Sequence, residues 1–433
     1  MTEPVMQQTA RAVFGDEQAR EAAAPVRAAD RIASLDFIRG IAVMGILGAN
    51  IIAFGQPFNA YISPSAFIGD VGDPGGWMWI TQFVLVDGKM RGLFTLLFGA
   101  GMYLFMERAW ERGSTRWLQV WRLALLFVFG LIHFFFIWIG DILIMYGLLG
   151  FVVVAVMHWS AATQMKVGLF GYLLGGLMFA AMMTPLHLVV ETSFGDAASL
   201  AEMRADLEKG TQEALADDAE TSALKQSGDY AGLLEKRVSE EWSLPFANSA
   251  FFAIETIPLM LIGMALYRIG FFSGAVDRGK MLRWGWIGVL GGGAVHLAIG
   301  LYVQSTGFAF YAATAAFMGW SFLPRLAMVL GLAALLVTYS QSWRGWLAER
   351  ISAAGRAAFT NYLGTSVVML FVFHGWALGL YGELNRPQLY LVVLFTWALM
   401  LAWSKPWLER YRYGPLEWLW RCLTYRTLFA LKR

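Results

Sequence analysis

Ser34-Leu35-Asp36-Phe37-Ile38-Arg39-Gly40-Ile41-Ala42-Val43-Met44-Gly45-Ile46-Leu47-Gly48-Ala49-Asn50 is the front of a membrane-length apolar segment that carries an acid, a base and an amide. As a helix, the stretch from Asp36 to Asn50 rises about 21 Å and turns about 40° short of four full turns. Asp36 and Asn50 then stand near opposite ends of one stripe, joined by Gly40 and Val43. A charge at the centre of a bilayer costs roughly 2.5–3.5 kcal/mol on insertion scales. Such a stripe therefore faces protein or a wet cavity, not lipid. A plainer reading has Asp36 capping the helix and Arg39 snorkelling to the headgroups. Asn50, farther along, is not explained that way.

The rest of the chain has the same character. Of its 433 residues 58% are hydrophobic and 15% charged, and the mean hydropathy is +0.54; soluble domains carry about 25% charge. Continuous apolar runs in lipid mean helices, because a helix satisfies its own backbone. The expected fold class is all-α, a polytopic transmembrane helical bundle. A net charge of +2 and no basic run with interleaved aromatics argue against a nucleic-acid partner. The single cysteine, Cys422, excludes an intrachain disulfide and a cysteine metal cluster. The first thirty residues lack the apolar core of a signal peptide, so the first span is expected to direct insertion.

About ten spans are expected, near 35–55, 91–106, 117–138, 142–157, 167–190, 248–267, 284–303, 326–340, 358–380 and 388–404. Residues 77–86 suggest a separate half-length helix before the Asp87-Gly88 break, and Pro324 a longer, broken helix beginning near Phe310. Arg108, Arg112, Arg116, Arg268, Arg278, Lys280, Arg283, Arg344, Arg350 and Arg356 fall in loops on one side. The tail from Lys405 and Arg11, Arg20, Arg27 and Arg31 join them, whereas the opposing loops 56–76, 304–323 and 381–387 hold only Arg386. Basic loops stay inside, so both termini are expected to be cytoplasmic.

The organisation expected is a cytoplasmic tail (1–34), a first half of five spans (35–190), an extracytoplasmic polar insert (191–247), a second half of five spans (248–404) and an amphipathic tail (405–433). The insert reads as two short helices over the outer mouth, or as a solvated connecting loop. In the tail, Pro415 and Glu417 open a helix with Leu416, Leu419, Trp420 and Leu423 on one face, as in an interfacial anchor.

Four passages narrow the reading further. They are Leu35-Asp36-Phe37-Ile38-Arg39-Gly40 leading to Asn50; Asp87-Gly88-Lys89-Met90-Arg91 with Leu93 to Gly99; His133 with Trp138, Gly140-Asp141-Ile142-Leu143 and Tyr146; and Gly355-Arg356 with Thr360-Asn361-Tyr362-Leu363 and Ser366, followed by Tyr413 to Arg421. In this order they resemble the YeiB-like family of bacterial inner-membrane proteins, a domain of unknown function, from Arg31 to Tyr425. That resemblance implies a multi-pass protein of the bacterial plasma membrane. The first-span motif is also distantly similar to transmembrane acyltransferases of the heparan-α-glucosaminide acetyltransferase type, which move an acetyl group from cytosolic acetyl-CoA to an amine on the far side. Their motif acid and asparagine correspond to Asp36 and Asn50. The catalytic histidine of that enzyme follows the asparagine closely, but residues 51–76 here contain no histidine.

His133, near Trp138 and Asp141, is the candidate replacement: histidine titrates near neutrality and is the commonest general base. Asp141, Asn50 or Glu255 are available to orient it. The alternatives are a histidine bonded to a carbonyl or serine, and an Asp141 that only caps the next helix. Asp87, Lys89 and Arg91 are placed on the outer side, where bases are disfavoured, before a helix start that attracts anions. They serve as a binding group for a carboxylate, phosphate or diphosphate, unless Asp87 merely neutralises Lys89. Glu255, three residues before Pro258, is another costly charge, with Arg325 a structural partner for it. Arg356 and Asn361 are placed to meet Asp36 and Arg39 on the cytoplasmic side.

No nucleotide loop, zinc spacing or Gly-x-Ser-x-Gly elbow occurs. Hence no metal and no permanently bound cofactor are expected, with acyl-CoA as a donor substrate. The function expected is a membrane-bound acyltransferase passing an acyl group from a cytosolic thioester to a small-molecule acceptor at the outer face. A transporter or exporter of a small anionic or amphiphilic solute, relaying protons through His133 and Glu255, is the alternative. A membrane scaffold is a third.

Overall fold

A computed structural model describes residues 32–69 and 72–433. The expected tail with Arg11, Arg20, Arg27 and Arg31 lies outside the described residues. Sixteen α-helices follow in chain order: α1 Ala33–Gly55, α2 Gly72–Leu85, α3 Lys89–Glu111, α4 Arg116–Phe136, α5 Leu143–Ala155, α6 Ala161–Glu191, α7 Ala201–Ser227, α8 Tyr230–Ser239, α9 Leu244–Arg268, α10 Arg278–Ser305, α11 Phe310–Ala315, α12 Phe322–Ser342, α13 Trp346–Arg356, α14 Ala358–Phe373, α15 Arg386–Arg410 and α16 Pro415–Tyr425. Among the described residues the sole β-feature is an isolated bridge between Tyr411 and Lys432.

Among the described residues, seven helices (α1, α4, α6, α9, α10, α12 and α15) are long and apolar enough to cross a membrane, and eight if the bent pair α13–α14 counts as one span. The ten expected from hydropathy are not reached, for identifiable reasons. α5 has only 13 residues, about 20 Å of rise against a hydrocarbon core of about 30 Å. α3 carries charges at both ends, from Lys89 and Arg91 to Glu107, Arg108 and Glu111. Between α13 and α14 the chain turns by 86°.

α1 is the axis of the bundle. Asp36 does not cap it; its carboxylate accepts from Arg39 at 3.1 Å, one turn on, while Ser34 donates to the Phe272 carbonyl. α13 crosses α1 so closely that a Cβ on Gly355 would stand 1.8 Å from the Asp36 carbonyl oxygen, and one on Gly40 2.1 Å from that of Ile351. Overpacking of this kind costs about 1–3 kcal/mol or more. Gly355→Ala is therefore expected to lower the melting temperature in detergent, whereas Gly364→Ala, whose Cβ would meet nothing within 4 Å, leaves it unchanged. Equal melting of the two variants would refute the close crossing.

The broken helix expected around Pro324 is present: α11 runs through a π-turn, Ala316–Trp320, toward α12. Pro324 has no N–H to return to residue 320, so the preceding turn widens. Within that turn the Phe317 carbonyl accepts from the Ser321 hydroxyl and from Arg325, the latter at 2.6 Å.

Both ends of the described chain meet at one face, where Ile32 and Arg39 lie beside Tyr413 and Arg421. The 191–247 segment closes the opposite, far face. Its main helix, α7, is 27 residues long, not short. Asp218 accepts from the Phe58 and Asn59 amides after α1, Tyr230 donates to the Phe136 carbonyl at the end of α4, and Arg237 donates to Phe135. Lys225, buried over the Tyr381 ring, has its ammonium pushed down to about 8 by burial and the nearby Arg237.

Candidate functional site

A cavity of about 1080 Å³ enters the bundle at the face where the chain ends meet. Phe94 and Arg112 both line it. Their separation along α3 amounts to roughly 27 Å of helix rise, long enough for an extended pantetheine arm. Its outer part is cationic: Arg39, Arg108, Arg112, Arg122, Arg356 and Arg421 line it, against the acids Glu107, Glu111 and Glu417. Asp36 belongs instead to an adjoining pocket of about 210 Å³, shared with Arg39 and Arg356. These three residues thus lie together at one pocket, but Asn361 does not join them. It is buried, donates to Ala354 and Ser404 and accepts from Trp403, tying α13, α14 and α15.

α16 was expected as a surface anchor and is instead part of the cavity wall. Glu417 accepts from the Phe359 and Thr360 amides and the Thr360 hydroxyl, capping α14 from outside its own helix. Burial pushes the Glu417 carboxyl above its ordinary range, while these donors pull it back. Trp420 donates to the Arg122 carbonyl, and Arg122 lies over the rings of Phe105 and Trp420.

At the deep end the walls are Leu143, Tyr146 and Tyr362. Tyr146 shares a 2.7 Å hydrogen bond with Thr95, and Tyr362 accepts from the Ile142 amide. Behind Tyr362, with ring centroids 5.3 Å apart, lies His133. Its side chain and that of Asp141 are fully buried, with Nδ1 to Oδ2 at 2.6 Å. The other Asp141 oxygen accepts from the Ile144 amide, so this acid both caps the start of α5 and orients the imidazole. His133 Nε2 has no hydrogen-bond partner. With Nδ1–H donated to Asp141, Nε2 carries the lone pair of a poised base.

Asn50 reaches the same neighbourhood by helical spacing. On α1, Val43 and Ile46 pack in the cluster with Leu143, Tyr146 and Tyr362, and Phe54 stacks on Trp138 at 4.0 Å. The half-buried Asn50 lies on that stripe between them. The expected stripe from Asp36 is thereby divided: Gly40 is sealed against α13, while Asn50 is half-buried one turn before Phe54.

Asp87, Lys89 and Arg91 were expected on the outer side, and they stand at mid-depth. A Cβ on Gly45 would touch Met90, and one on Gly48 would meet Val86, so the break is level with the middle of α1. α2 reaches it by descending about 21 Å from the far face. Asp87 and Lys89 do not pair: Asp87 accepts from Gln82 at 2.9 Å, and Lys89 donates to the Phe83 carbonyl. Glu255 is held by Arg91 and by Arg325, the latter at 3.2 Å. Gly88, at φ +71°, sits against the Arg325 guanidinium. Sequence reasoning paired Glu255 with Arg325; it quoted Tyr146, Tyr362 and Arg421 within motifs but gave neither them nor Arg122 a place in the cavity wall, because they come from helices distant in the chain. Among the described residues no group of three or more His, Cys, Asp and Glu is arranged to hold a metal ion.

Comparisons with known proteins bear on what this arrangement belongs to. The family model described as "Protein of unknown function (DUF418)" matches residues 266–427. The uncharacterized protein YeiB of Escherichia coli (strain K12) is 31% identical over 411 residues, covering 92% of this chain and 97% of that protein. The uncharacterized protein YxaH of Bacillus subtilis (strain 168) is 29% identical over 419 residues, 93% of this chain and 96% of the relative. No solved structure matches the chain.

Proposed function

The chain belongs to the YeiB-like family of unknown function, and we propose that this multi-pass membrane protein is an acyltransferase using a thioester donor. One observation carries the reading: a cationic cavity runs inward to Tyr362, and behind that ring lies a buried histidine–aspartate pair whose outer nitrogen has no hydrogen-bond partner. In this reading the cavity faces the cytoplasm of a bacterium, as its basic loops favour, and the acceptor arrives from the far side.

Anionic groups of the donor, such as the phosphates of acyl-CoA, rest among the arginines of the mouth, whose planar forks suit phosphate oxygens. The acyl end extends to Tyr146 and Tyr362. Rotation of the Tyr362 ring admits it to His133. The acceptor amine or hydroxyl attacks the thioester carbonyl while His133 Nε2 takes its proton, and Asp141 stabilises the imidazolium. Asn50 donates to the oxyanion. The carbon–sulfur bond then breaks, and the departing sulfur takes the proton from His133. Asp87, Lys89, Arg91 and Glu255 hold mid-depth geometry in this scheme.

Purified protein given radiolabelled acetyl-CoA is expected to release CoA in the presence of a suitable acceptor. Arg39→Gln removes one charge-assisted contact, and its donor KM is expected to rise about tenfold with kcat little changed. Donor turnover indifferent to the charges of the mouth would count against the reading.

A transporter remains the second reading, favoured by one specific feature. The α2–α3 break and the widened turn before α12 meet at mid-depth, with Gly88 against Arg325. Paired broken helices are where transporters bind solute. Accumulation of an anionic solute in proteoliposomes without covalent change would select it.

A further inference from the structure

Arg386 is the one basic residue in the short loops of the far face, and the scheme above does not use it. It is 2% exposed, yet Nε, Nη1 and Nη2 all lack hydrogen-bond partners. The ring of Phe67 lies over the guanidinium, 5.2 Å from its centroid. This covers one face of the plane and supplies no acceptor to its N–H groups.

Three physical terms oppose an unaccompanied cation at this place. Burial strips its hydration, at an effective cost of several kcal/mol for an ion. Its N–H donors lose water without gaining acceptors. It also begins a 25-residue helix, whose positive end repels cations. Asn385 and Gln388 already complete the cap of that helix, so Arg386 is not required for it. Of its polar neighbours, Tyr390 and Gln82 are engaged with each other, whereas Asp87 Oδ2 is itself without a hydrogen-bond partner. Tyr390, one turn on, donates to Gln82 at 2.7 Å, and Gln82 donates to Asp87. Asp87 lies within electrostatic reach of Arg386 but forms no ion pair with it.

We propose that Arg386 anchors an anion site beneath the 56–69 loop, receiving the singly charged oxyanion group of a ligand, a carboxylate or a phosphodiester, in its guanidinium fork. Two parallel N–H···O bonds to such a group satisfy the donors and neutralise the charge together. The nearby Asp87 disfavours a dianion. Gln56 ties the loop to the start of α15, donating to the Leu384 carbonyl and accepting from the Ile68 amide, so a ligand held there is enclosed. The site stands whether or not the chain transfers acyl groups.

The test uses the full chain in a maltoside detergent at constant ionic strength, followed by thermal unfolding. One arm adds sodium acetate against sodium chloride, to probe a free carboxylate. The other adds dihexanoyl phosphatidylglycerol against octyl glucoside, to probe a lipid phosphodiester. A saturable rise in Tm of several degrees is expected in one arm and is abolished in Arg386→Met. Without either probe, Arg386→Met should melt at or above the wild-type temperature, because an unpartnered buried cation has been removed. The proposal is overturned if neither probe stabilises the wild type, if the rise survives in Arg386→Met, or if that variant melts lower without probe. The last result would mean that the fold itself satisfies the guanidinium.

Discussion

His133→Ala is expected to lower kcat for acyl transfer by about 10² to 10⁴, the range general base catalysis supplies, while KM for the donor stays within a factor of a few. The split follows from placement. The imidazole lies one ring beyond the cavity wall, so it is not part of the surface that holds a resting donor. Arg39→Gln should show the converse pattern, and the pair of variants separates chemistry from binding without knowledge of the acceptor. Asp141→Asn should follow His133→Ala only partly, because the amide still accepts from Ile144 but no longer stabilises the imidazolium. A His133→Ala enzyme that turns over like the wild type would remove this residue from the mechanism.

The largest structural effect is expected at Glu255. Its two carboxylate oxygens serve two guanidinium groups, Arg91 and Arg325, and its side chain is 2% exposed. Breaking a buried pair by removing one partner costs about 3–5 kcal/mol, because the remaining charge is left uncompensated. Glu255→Gln should accordingly reduce the yield of monodisperse protein on size exclusion and lower its Tm sharply. The double variant Arg91→Met with Glu255→Gln should recover much of the loss. Arg325 would keep the Phe317 carbonyl, the Ser321 hydroxyl and the glutamine oxygen. Were Glu255→Gln folded as well as the wild type but unable to move a solute, the acid would be a proton carrier, and the transport reading would gain.

Hydropathy disclosed the helical class and most helix positions, because apolar runs report burial in lipid directly. Its ten expected spans exceed the seven or eight described helices that are both long and apolar enough, and α5 is where the two criteria part company: apolar throughout but only 13 residues long. The His133–Asp141 pairing was legible because eight residues of local chain bring the two together across one turn. His187 was less so. Its bond to Glu191 is an ordinary i,i+4 contact that inspection could have found, whereas its bond to Tyr302 comes from α10. Asn361 misled because a polar residue near a basic loop reads as an entrance, although two neighbouring helices, α13 and α15, consume its hydrogen bonds. The depth of Asp87 was hidden for another reason. The sequence marks a break in a helix without recording how far the preceding segment has already descended.

The clasp between Glu417 and the start of α14 sets an order on biogenesis. Arg39, on the first helix, and Trp420, Arg421 and Tyr425, on α16, line the same cavity, nearly four hundred positions apart in the order of translation. A ribosome-bound chain can thread every preceding helix and still lack one wall of this cavity. On the proposed function, competence for a donor then arrives late, and a nascent chain stalled before residue 415 is expected to be inserted yet inert.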